Sequence, residues 1–136
     1  MAGPEAFRFV QAAPELPTRD LGATKAWYER HLGFRALGPW QEWKFLVLER
    51  DGVLLHFFLS APEAAGPPAD AAAASIEPAT LYLRLAGDID ALAARLKALG
   101  ADLHGDPEDR PWGLREFSVH DADGRHVRIG KPLGGA

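Results

Sequence analysis

Asp20-Leu-Gly-Ala-Thr-Lys-Ala-Trp-Tyr-Glu-Arg-His-Leu-Gly33 reads as one helix with both ends marked. Asp20 offers a side-chain oxygen to the unpaired N–H groups of the first turn. Gly33 can take the left-handed conformation in which helices commonly stop. The same pattern returns in Asp88-Ile-Asp-Ala-Leu-Ala-Ala-Arg-Leu-Lys-Ala-Leu-Gly100, where Ile89, Leu92, Ala93, Leu96 and Leu99 keep helical spacing. The two cap aspartates stand 68 residues apart and the two closing glycines 67 apart, in a chain of 136 residues, twice 68. An internal duplication therefore organises the chain.

Each helix follows a short alternating segment, Ala13–Thr18 in the first half and Thr80–Leu85 in the second. Each is followed by a hairpin pattern. Lys44–Arg50 and Val53–Leu59 flank Asp51-Gly52, and Leu114–His120 and His126–Ile129 flank Asp123-Gly124. Asp-Gly between alternating segments supplies the positive φ angles of a tight hairpin turn. Each half thus reads as strand, helix, then two or three strands, a βαβββ unit taken twice. The predicted class is α+β, one domain over 1–136 with modules at 1–60 and 79–136. Residues 61–78 hold eight alanines and four prolines and read as a surface linker. Pro14 and Pro17 suit an edge strand, or one exchanged between subunits.

Composition removes several function classes. With no cysteine, disulfides, thiol nucleophiles, zinc ribbons and iron–sulfur clusters are excluded. A net charge of -4 without a basic block gives no support to a nucleic-acid partner. It suits a cationic ligand, and equally suits simple solubility. No apolar run approaches the ~18 residues of a membrane span, and Met1–Arg8 lacks a signal-peptide pattern, so a cytoplasmic location is expected. Ser60, Ser75 and Ser118 sit in no nucleophile-elbow context, and the glycine pairs form no phosphate loop.

A duplicated βαβββ unit resembles the plan of the vicinal-oxygen-chelate superfamily, which includes glyoxalases, extradiol dioxygenases and bleomycin-resistance proteins. Three stretches are similar to the bleomycin-resistance branch. They are Pro14–Asp20 running into Trp27-Tyr-Glu-Arg-His-Leu-Gly-Phe34, then Leu55-His-Phe-Phe58, then Pro111-Trp-Gly-Leu-Arg-Glu-Phe117 leading to Asp121-Ala-Asp-Gly124. The chain departs from the branch in the extra Leu114 and in Ala122, where the family turn usually carries proline. The resemblance implies curved sheets that form a cup, helices outside, and a homodimer that sequesters a drug in grooves at the subunit interface. A superfamily enzyme of glyoxalase, lyase or dioxygenase type, acting on a small metabolite, stays open as the alternative.

The duplication tests the metal chemistry that some members use. Counting from the caps and turns, the four positions equivalent to the family's ligand positions are Ala13, Thr80, His56 and Arg128. A catalytic transition metal needs about three neutral imidazole or carboxylate ligands. Only His56 qualifies, and Arg128 brings a fixed positive charge. No metal and no cofactor is therefore expected, and binding is favoured over catalysis. Period-two alternation places Glu15, Pro17, Phe58, Ser60, Tyr82, Arg84, Glu116, Ser118, His120 and His126 toward the cup, and Leu16, Leu55, Phe57, Leu81, Leu83, Phe117, Val119, Val127 and Ile129 toward the helices. The candidate ligand-binding set is Trp112, Trp40, Trp43, Phe45, Phe58, His56, Tyr82, Glu15, Glu116, Ser118 and Arg128. In it loop tryptophans would stack on a planar ligand, and Glu15 and Glu116 would meet positive groups. Two plainer readings stand beside it. The Arg and Glu side chains could neutralise one another with no ligand, and Trp40 and Trp43 could instead seal a dimer interface. His104 is expected in a loop, and His31 at the end of the first helix.

Overall fold

The computed structural model describes residues 6–8, 10–60 and 80–134. The linker segment 61–78 lies outside the described residues. In the first half, β1 (Glu15–Thr18) leads through α1 (Leu21–Leu32) to β2 (Arg35–Leu37). A one-turn helix, α2 (Trp40–Trp43), precedes β3 (Phe45–Arg50) and β4 (Val53–Leu59). In the second half, β5 (Leu81–Arg84) and α3 (Ile89–Ala98) are followed by β6 (Asp102–Asp109), β7 (Leu114–His120) and β8 (His126–Pro132). No helix among the described residues is long and apolar enough to cross a membrane.

Both helices begin where the cap chemistry puts them. Asp20 accepts from the Ala23 N–H at 2.9 Å and Asp88 from the Ala91 N–H at 3.0 Å. Each cap contributes about 1 kcal/mol. Gly33 ends α1 in the left-handed region at φ 71, a conformation costly for any residue with a Cβ. The two sheets repeat one topology, β1-β4-β3-β2 and β5-β8-β7-β6. In each, the first strand runs parallel to the last and the remaining pairs are antiparallel. The proline-bearing β1 takes an edge, where a missing N–H costs no ladder bond.

Alternation sorts the two faces. Leu16, Leu46, Leu48, Leu55 and Phe57 are buried in the first sheet, where α1 packs on β2, β3 and β4, and Leu81, Phe117, Val119, Val127 and Ile129 in the second, where α3 packs on β6 and β7. One core cluster joins both sets with Tyr28, Leu32, Ile89 and Leu96. The intervening residues of each strand share the opposite, helix-free face.

Three local expectations change. The segment after α3 is a strand, so His104 lies on β6 and not in a loop. Trp40 and Trp43 form a helical turn, and Trp40 leans on the core. The first strands start later than Ala13 and Thr80. Their register sets Glu15 beside His56 and Tyr82 beside Arg128.

The modules dock through the β7–β8 turn. Asp121 is buried there and pairs with the equally buried Arg125 at 2.7 Å. Asp121 also accepts from the Tyr28 hydroxyl of α1 at 2.7 Å. Arg125 reaches back to the Pro17 carbonyl of β1, and its guanidinium lies 5.5 Å from the centre of the Phe57 ring. Asp123 accepts from the Arg19 N–H and the Thr24 hydroxyl, closing the same seam.

Candidate functional site

On the helix-free face of the second sheet, Glu116 is the hub. It sits on β7 between Phe117 and Arg115, pointing away from α3, yet it is only 3% exposed because its neighbours cover it. The Tyr82 hydroxyl donates to its Oε2 at 2.7 Å. The Trp112 indole Nε1–H donates to Oε1 at 3.2 Å, and an Arg128 Nη2–H donates to the same oxygen at 3.0 Å. Arg128 in turn lies over the Tyr82 ring, 5.5 Å from its centre. Both carboxylate oxygens are thus engaged by the protein itself, the self-neutralised arrangement for this pair.

Burial on its own raises the Glu116 carboxyl pKa, but the hydrogen bonds from Tyr82 and Trp112 and the Arg128 guanidinium outweigh it, leaving a net lowering. Tyr82 moves upward, from burial first and from its bond to the Glu116 carboxylate second. A carboxyl whose pKa is lowered by folding stabilises the fold above its ordinary value and loses that contribution as it protonates. The Glu116 contribution is accordingly full at neutral pH and declines as pH falls below about 4.5. Acid titration of stability should show a shallower loss in Glu116→Gln than in the parent chain.

Gly130 on β8 is what lets this cluster close. A Cβ at that position would stand 2.0 Å from the Tyr82 hydroxyl oxygen and 3.0 Å from Glu116 Cγ. Gly130→Ala is expected to displace Tyr82 and lower stability by about 1–3 kcal/mol, measured by chemical denaturation.

Trp112 occupies the tip of the β6–β7 hairpin, where a turn is closed by the Gly113 N–H donating to the Arg110 carbonyl at 3.0 Å. Its indole N–H is fixed by Glu116 while the residue stays 61% exposed. The outcome is an anchored, solvent-facing aromatic surface. Ser118 lies further along the same face, opposite Arg128 on β8 and His104 on β6, and is half-buried.

The helix-free face of the first sheet is more apolar. Phe58 on β4 is 39% exposed and lies between Pro17 of β1 and Phe45 of β3. His56 is next on that face. Its Nδ1 lies 3.1 Å from Glu15 Oε2, and the Phe45 ring meets it edge-on at 5.4 Å. Glu15 keeps most of its carboxylate in solvent. Trp43, 54% exposed, is pressed over Gly38, while Trp40 faces inward. The structure therefore groups the candidate residues into two patches, Tyr82, Trp112, Glu116, Ser118 and Arg128 on one sheet and Glu15, Phe45, His56 and Phe58 on the other. Trp40 instead packs against the core beside Gly22, and Trp43 lies over Gly38 just before β3.

The residues do not fit a superfamily-type metal centre. Beside His56 stands Glu15, but the equivalent places in the second sheet hold Tyr82 and Arg128. Among the described residues, no group of three or more His, Cys, Asp or Glu side chains is arranged to hold a metal ion. Sequence reasoning missed Arg125, whose charge reads as a solvated turn residue. It also missed the convergence of His104, His120 and His126, which depends on the strand character of β6.

The sequence pattern of the Glyoxalase/Bleomycin resistance protein/Dioxygenase superfamily matches residues 8–129. A bleomycin resistance protein from Klebsiella pneumoniae is 32% identical over 127 residues, covering 88% of this chain and 90% of the relative. The fold is similar to that of a bleomycin-binding protein complexed with bleomycin, with TM-score 0.69 and 29% identity over 90% of this chain and 98% of the other. It is also similar to TioX from Micromonospora sp. ML1, with TM-score 0.73, 23% identity and coverage of 92% and 100%. Two βαβββ sheets with this duplicated topology, matched along nearly the whole chain, make this protein a member of the glyoxalase/bleomycin resistance protein/dioxygenase superfamily.

Proposed function

We propose that the protein is a non-catalytic binder that sequesters a planar, partly cationic antibiotic of the bleomycin type in grooves between two copies of the chain. The observation that carries this reading is Trp112, an exposed indole held in one orientation by Glu116. A flat, pre-oriented aromatic surface stacks on a planar ring at little entropic cost. The relative that is 32% identical is a bleomycin resistance protein, and a protein 29% identical is a bleomycin-binding protein, which supports the choice of ligand.

The two patches divide the work. Trp112 and Tyr82 with Arg128 form a polar-edged wall. Phe45 and Phe58 form an apolar wall with His56 and Glu15 at its side. Each wall stands open in the single chain, and a second copy would set the wall of one sheet against the wall of the other. Glu15 meets positive groups of the ligand directly, whereas Glu116 acts through Trp112. Neither a metal nor a cofactor takes part. A fluorescence titration with copper-loaded bleomycin tests the reading, since Trp112 and Trp43 report on the groove. Saturable quenching at micromolar or lower drug is expected. Unquenched emission to tens of micromolar would overturn the proposal.

A further inference from the structure

We propose that His120 and His126 chelate a divalent late transition-metal ion on the helix-free face of the second sheet, away from the positions where the superfamily resemblance places ligands. The two residues pair across the β7–β8 hairpin. Their Nε2 atoms converge to 3.0 Å. Two imidazole nitrogens each about 2.0–2.1 Å from one ion stand about 3.0 Å apart at a right-angled coordination and about 3.4 Å apart at a tetrahedral one. The pair is thus already spaced as a chelate.

A further contact prepares the donors. Asp102 on β6 lies opposite His120, with its Oδ2 3.0 Å from His120 Nδ1. A carboxylate at Nδ1 holds the ring proton there and leaves the lone pair on Nε2, the arrangement that orients metal-bound histidines. His126 is pushed below the usual imidazole pKa, by burial first and then by His120, His104 and Arg128. Its Nε2 proton moves to Nδ1 when the ion binds, and no net proton is lost.

Arg128 is the nearest fixed cation on β8, and its guanidinium is drawn to Glu116 at 3.0 Å. His104 borders the pair, its ring centre 5.7 Å from that of His126, and does not complete a third ligand as it stands. Water fills the remaining positions, which sets the affinity in the micromolar range and favours Cu2+ over Zn2+. His120 also lines an open groove of about 720 Å³ with Asp102 and Trp27, so its ring is reached by solvent.

Calorimetric titration with Zn2+ and with Cu2+ tests the proposal without any antibiotic, so its outcome is separate from that of the drug-binding reading. One saturable site per chain is expected, tighter for Cu2+. His120→Ala and His126→Ala should each abolish it, and His56→Ala should leave it intact. Asp102→Asn, at an exposed position, should weaken it about ten-fold. Absence of saturable binding by the parent chain, or a site that survives both histidine variants, would overturn the proposal.

Discussion

Replacing Arg125 with Met is expected to lower folding stability by about 3–5 kcal/mol. The side chain is 2% exposed and pairs with Asp121 at 2.7 Å. Met matches the aliphatic stem, so little volume is lost. What is lost is the countercharge of a carboxylate that stays buried beside Tyr28. Burial, followed by the Asp121 carboxylate, already holds the Tyr28 hydroxyl well above its ordinary pKa, so that hydroxyl remains a neutral donor and cannot compensate. The Pro17 carbonyl also loses its partner, which loosens β1 from the β7–β8 turn. Chemical denaturation of Arg125→Met beside Asp121→Asn/Arg125→Met checks the cause. The double variant should recover part of the loss, because it removes the stranded charge. A single-variant cost no larger than that of a surface ion pair would show that the turn does not hold the modules together.

Trp112→Ala should weaken binding of copper-loaded bleomycin by about 2 kcal/mol or more, roughly 30-fold. The residue is exposed and its ring supports none of the buried core, so stability should fall by no more than about 1–2 kcal/mol, through the lost bond to Glu116. Trp112→Phe keeps a flat ring but drops the hydrogen bond to Glu116. Its affinity should fall between the parent and the alanine variant, which separates stacking from pre-orientation. Equal affinity in all three proteins, followed by calorimetry, would remove Trp112 from the site.

Much of this fold is legible in the sequence because two independent periodicities agree. Helical spacing from Ile89 to Leu99 and strand alternation from Val53 to Leu59 each reappear one repeat away, and the buried residues Leu55, Phe57, Val127 and Ile129 fall on the face that alternation assigns. The repeat also brings His56 and Arg128 to equivalent strands. β6 is hidden for a physical reason. Its sequence, Asp102-Leu-His-Gly-Asp-Pro-Glu-Asp109, has the composition of a turn, and only an edge position with a register shift between His104 and Glu108 lets it pair. Counting residues back from a cap fixes a strand less well than pairing does, which is why Glu15 and Tyr82, two residues on from Ala13 and Thr80, stand beside His56 and Arg128. Glu116 reads as an available acid because alternation reports the direction of a side chain and not what folds over it. The burial of Arg125 is likewise a property of docking between modules, which no local pattern encodes.

Native mass spectrometry of the protein with copper-loaded bleomycin measures assembly and ligand together, the two halves of the proposed drug-binding dimer. A dimer that retains two drug molecules is expected, and a dimer of Trp112→Ala that retains fewer. A chain that stays monomeric while holding drug would contradict the proposal, as would a dimer that retains none.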